Sequence, residues 1–70
     1  MDREREQRRE VFRSVRMGMG MSQGKLGECM GIKASDISAI ETGRRGRAPT
    51  KGHMRLLAWI KLAHDAGLEL

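Results

Sequence analysis

Aromatic residues are nearly missing from this chain: Phe12 and Trp59 are the whole set, which leaves the core to aliphatic and methionine side chains. Proline occurs once, at Pro49, and no β-branched run alternates over the length of a strand. Without such a run there is no half-buried sheet to build, so the chain reads as all-α. Cysteine occurs once, at Cys29, so no internal disulfide can form. Cys29, His53 and His64 lack the close ligand-pair spacing of a metal site, and no metal or other cofactor is expected. No apolar run approaches the roughly 20 residues of a membrane span. No signal-peptide pattern is present either, and a cytoplasmic location is expected. There is no nucleophile–base pair and no carboxylate dyad. Gly18-x-Gly20 is not followed by the pattern of a nucleotide-binding loop. The chain is therefore not expected to be an enzyme.

What is present is charge and small size. Seventy residues make one domain, 1–70. A chain of this length buries only about 60% of its unfolded surface, so a partner subunit is expected to add stability. The formal net charge is +5 and the sequence pI about 10.4, which favours a polyanionic partner. Residues 2–10 are almost entirely charged and read as the exposed, frayed start of a first helix, 1–10. Within it Glu4–Arg8 and Glu6–Arg9 are spaced as helical ion pairs. An arm of arginines laid along phosphates is the functional alternative, weakened by the interleaved acids. The helix turns amphipathic at Val11, Phe12 and Val15, with Met19 continuing the face and Gly18 and Gly20 ending it. Met17, Met19, Met21 and Met30 read as flexible core filling.

The rest is organised around Gln23 to Thr42. Leu26 and Met30 share one face of a helix, and Ile37 and Ile40 share a face of the next. Gly31 between them supplies the permissive backbone of a helix end and sharp turn, and Ile32 plugs the angle. Gly27 carries no side chain and allows close crossing. Gly24, in the same helix, has no evident role. This is a helix-turn-helix in physical terms.

Ser22-Gln23-x-x-Leu26, Gly31-Ile32 and Ser35-x-Ile37-Ser38-x-Ile40-Glu41-x-Gly43 resemble the DNA-binding domain of the Cro/cI (XRE) family of repressors. The resemblance covers roughly residues 12–66, with Arg16 also in register. It implies a compact four- to five-helix lambda-repressor-like domain containing a helix-turn-helix. It also implies that Arg16 pairs with Glu41, and that Gln23 touches a DNA phosphate and braces the recognition helix. A guanidinium and a carboxylate can bond bidentately and tie two helices together.

Ser22 is placed to cap the second helix. The recognition helix is expected at about Ala34 to Thr42. Ile37 and Ile40 face inwards, and Ser35, Ser38, Ala39 and Thr42 face outwards, with Lys33 and Ala34 at its start. Such small side chains let a helix sit deep in a major groove, where hydroxyls bond base edges or phosphates and alanine meets a thymine methyl. Asp36 suits the helix N-terminus electrostatically. Arg44, Arg45 and Arg47 follow Gly43 as the most basic segment and are expected beside the phosphate backbone.

The last helix begins after Pro49 with Thr50 as its cap and ends before Gly67. Its apolar residues span an arc wider than one core stripe needs, Leu62 lies off that arc, and the tail 67–70 adds Leu68 and Leu70. A two-fold dimer through Trp59, Leu62 and Leu68 is expected, packing of this surface against the first helix being the alternative. His53 and His64 read as surface or boundary residues. The expected function is sequence-specific double-stranded DNA binding: a homodimeric repressor on an inverted-repeat operator, acting by promoter occupancy, its own gene included, as in regulators of phage or mobile elements. Two alternatives stay open: an antitoxin binding both a toxin and its promoter, and a protein-interaction adaptor on the same fold.

Overall fold

The computed structural model describes residues 3–70, and Met1 and Asp2 lie outside the described residues. Four α-helices follow one another: α1 (Arg3–Gly18), α2 (Gln23–Met30), α3 (Ala34–Thr42) and α4 (Lys51–Asp65). A single 3-10 turn, Arg44–Gly46, separates α3 from α4, and the described residues contain no strand. The lower of the two helix numbers expected is thus the one observed.

Each helix begins or ends where its local chemistry dictates. Ser22 Oγ accepts from the Lys25 amide at 3.0 Å and so satisfies one of the free N–H groups at the start of α2. Gly31 ends α2 at φ 74°, and Gly43 ends α3 at φ 78°, left-handed conformations that a Cβ disfavours. Thr50 starts α4 with a reciprocal pair: its Oγ1 accepts from the His53 amide and its own amide donates to His53 Nδ1, both at 3.0 Å. His53 thus has a capping role that its spacing alone did not reveal, because histidine is not the Glu or Gln usual at that position. Thr50→Ala removes the acceptor. It is expected to cost about 1 kcal/mol, read as a lower urea midpoint with unchanged m-value.

The core lies where α1, α2, α3 and α4 converge. Phe12, Leu26 and Ile37 are fully enclosed, with Ile40, Leu57 and Ile60 beside them. Met19 and Met21 close the junction after α1, and Val15, Cys29, Met30 and Ile32 pack at the edge. Two expected core residues stay outside. Met17 is 58% exposed and Val11 49%, because both fall beyond the narrow stripe of α1 centred on Phe12. Within the charged segment, residues 3–10 form regular helix, with the Glu4–Arg8 pair at 3.0 Å. None of the described helices is long and apolar enough to cross a membrane.

Candidate nucleic-acid interface

The candidate site begins with a buried polar knot. Glu41, in the last turn of α3, has a carboxylate only 1% exposed. Arg16 Nε donates to its Oε2 at 2.6 Å and Arg16 Nη2 to its Oε1 at 2.9 Å, a bidentate pair. Gln23 Nε2 donates to the same Oε1 at 3.3 Å, and Arg16 Nη1 donates to the Met21 carbonyl at 2.8 Å. One carboxylate thus ties α3 to α1 and to the start of α2. Burying a charge is costly unless every polar atom is satisfied, and here no buried side-chain N or O of the described residues lacks a partner. Gln23 braces α3 directly and is half-buried at the N-terminus of α2.

The turn between α2 and α3 is tight for a steric reason. A Cβ on Gly27 would sit 2.5 Å from the Ile32 carbonyl oxygen and 3.4 Å from the Ala34 amide nitrogen. The close approach is therefore to the backbone of the turn. Gly24 faces no such neighbour, its nearest being Ser22 Oγ at 3.8 Å, and nothing in the structure explains it.

With α3 fixed in this way, its outer edge carries Lys33, Ala34, Ser35 and Thr42 exposed and Ser38 half-exposed. The Thr42 hydroxyl donates to the Ser38 carbonyl at 2.9 Å, which leaves its oxygen able to accept. Ala39 is a correction. It is 4% exposed rather than outward-facing, and lies where α3 meets the segment that follows it. It forms the floor of a groove of about 270 Å³ whose other walls are Ser35, Asp36, Arg44, Arg45 and Arg47.

The basic segment is ordered. Arg44–Gly46 forms the 3-10 turn, with the Gly46 amide donating to the Gly43 carbonyl at 2.9 Å and the Arg47 amide to Arg44 at 3.0 Å. Arg45 has φ 56°, a left-handed backbone that costs an ordinary residue about 1–2 kcal/mol and persists only when neighbours hold it. Asp36 sits in the first turn of α3, as its charge suits, and also accepts from Arg47 Nη1 at 3.0 Å. Arg47 is thereby committed to the groove wall. Arg44 and Arg45 are exposed and make no side-chain hydrogen bond or ion pair with the described residues. Nothing in the sequence distinguishes Arg44, Arg45 and Arg47. Asp36 and Arg47 are paired only by the fold.

The last helix, α4, carries an uncovered apolar strip. Trp59 is 67% exposed and Leu62 63%, with Leu56 beside them at 38%, and Leu68 in the tail is 63% exposed. The first helix does not cover them, so the packing alternative is not what the fold adopts. Lys61, hydrogen-bonded at 2.6 Å, and then His64 hold the exposed Asp65 carboxyl below its ordinary value, a local effect at the end of α4. Among the described residues no cluster of three or more His, Cys, Asp or Glu could hold a metal ion. No protein-family model matches the chain, and no curated protein or solved structure matches it.

Proposed function

We propose that the protein is a sequence-specific double-stranded DNA-binding regulator of the lambda-repressor-like type. In this reading α2 and α3 act as a helix-turn-helix and the protein works as a dimeric repressor. The observation that carries this is one groove wall. The small-residue edge of α3 stands beside two exposed arginines with no other commitment, and the acid of that groove, Asp36, is already paired. Helix α3 would enter the major groove, with Ser35, Ser38 and Thr42 bonding base edges or phosphates and Ala34 meeting a thymine methyl. Lys33 at the start of α3 would reach a phosphate or a guanine. Arg44 and Arg45 would neutralise phosphates, and Gln23 would contribute its second amide hydrogen or oxygen at the helix end. The buried Arg16–Glu41 pair does no recognition itself. It sets the angle at which α3 is presented.

The apolar strip on α4 supports a second copy as partner. Two copies would hold their α3 helices about one DNA turn, roughly 34 Å, apart and read an inverted repeat. The same strip also favours the antitoxin reading, in which Trp59 and Leu62 meet a toxin while the DNA face is unchanged. A co-purifying protein from the native source separates the two.

A mobility-shift titration on the DNA upstream of its own gene, with random-sequence competitor at two salt concentrations, tests the function. The expected result is a shift that survives competitor, weakens steeply with salt and contains two protomers. A complete absence of shift at low salt contradicts the DNA reading. A mass that stays monomeric at all micromolar concentrations contradicts the dimer.

A further inference from the structure

The first half of α1 contributes nothing to the hydrophobic core. From Arg3 to Val11 no residue is buried, yet three of its arginines reach across to the segment after α3. Arg5 Nη2 donates to the Gly46 carbonyl, Arg9 Nη1 to the Arg47 carbonyl at 3.1 Å, and Arg8 Nε to the Pro49 carbonyl at 2.8 Å. Positions 5, 8 and 9 share one face of a helix, so a single surface of α1 makes all three bonds. Arg9 also lies against Gly43, where a Cβ would be 3.1 Å from its Nε and 3.2 Å from its Cζ.

What these arginines hold is backbone. Their partners in this segment are carbonyl oxygens, so the side chains of Arg44 and Arg45 remain available, and Arg8 keeps its Glu4 partner on α1 as well. The left-handed backbone at Arg45, which needs external support, is flanked by the bonds to Gly46 and Arg47.

We propose that Arg5, Arg8 and Arg9 are positioning residues for DNA binding. They clamp the backbone from Gly43 to Pro49, so that Arg44 and Arg45 meet phosphates already arranged, and they do not touch DNA themselves. The proposal rests on the DNA-binding reading above. Its physical basis is preorganisation: a segment ordered in the free protein loses less entropy on binding than one ordered by the ligand.

The double variant Arg8→Met, Arg9→Met tests it with two readouts. The first is a salt titration of binding to a short mixed-sequence duplex, followed by anisotropy. Affinity should fall about tenfold, the scale of a lost charged hydrogen bond, while the log–log salt slope stays as in the wild type. The second is amide exchange in the free protein, which should accelerate at Gly46 and Arg47 while the core amide of Ile40 is unchanged. A slope reduced by about 0.9 per arginine, with the loop amides still protected, would make them phosphate ligands and overturn the proposal. So would wild-type affinity in the variant. If the wild-type protein itself ignores the duplex, the DNA reading fails and this proposal with it, and faster exchange then marks the clamp as structural alone.

Discussion

Glu41→Ala is expected to cost about 3–5 kcal/mol, enough to unfold much of a domain this small at ambient temperature. The loss is not the value of the ion pair. Removing the carboxylate leaves the Arg16 guanidinium, whose side chain is 12% exposed, without its bidentate partner and strips Gln23 of its acceptor. Removing both charges should be far milder. Arg16→Met with Glu41→Leu replaces the pair by side chains of similar length and leaves no buried charge behind, so most of the stability should return. Urea denaturation followed by far-UV circular dichroism measures all three proteins. If the single and double variants lose the same stability, the loss belongs to the bonds of the pair itself and not to a buried charge left without its partner.

The two glycines of α2 should respond to alanine in opposite directions. At Gly27 the new methyl group would overlap the Ile32 carbonyl, and both groups belong to backbone that cannot swing aside. The turn must open, at a cost of about 3 kcal/mol or more. At Gly24 the methyl group meets ordinary van der Waals space, and relief of glycine's backbone entropy should add up to about 1 kcal/mol. Thermal melts of Gly27→Ala and Gly24→Ala check both. A destabilised Gly24→Ala would mean that this surface has a constraint the fold does not display.

The sequence carried the architecture because its signals there are local. Gly31 and Gly43 mark the ends of α2 and α3, Ser22 marks the start of α2, and apolar spacing marks their inner faces, so Leu26, Ile37 and Ile40 fall in the core as their periodicity requires. The Arg16–Glu41 pair was legible through resemblance rather than spacing, since the two are far apart in the chain. What was not legible depends on how the segment after α3 folds. Its return path pairs Asp36 with Arg47 and gives the α1 arginines carbonyl partners. A run of alternating charges carries no periodic apolar signal, so residues 3–10 read as a solvated end although Arg5, Arg8 and Arg9 are anchored. Of the residues expected to face outwards from α3, Ser35 and Thr42 are exposed, Ser38 is half-exposed and Ala39 is buried.

If the edge of α3 and the segment following it meet DNA phosphates, as proposed, the effect is largest at Arg44 and Arg45. The most direct measurement is the salt dependence of duplex binding for the wild type beside Arg44→Gln, Arg45→Gln. Both side chains are exposed and uncommitted, so the fold should be unaffected, which a superimposable circular dichroism spectrum would verify. The slope of log K against log salt should become shallower by about 1.8, two phosphate contacts at about 0.9 each. An unchanged slope with unchanged affinity would contradict the account and place the interface elsewhere on the molecule.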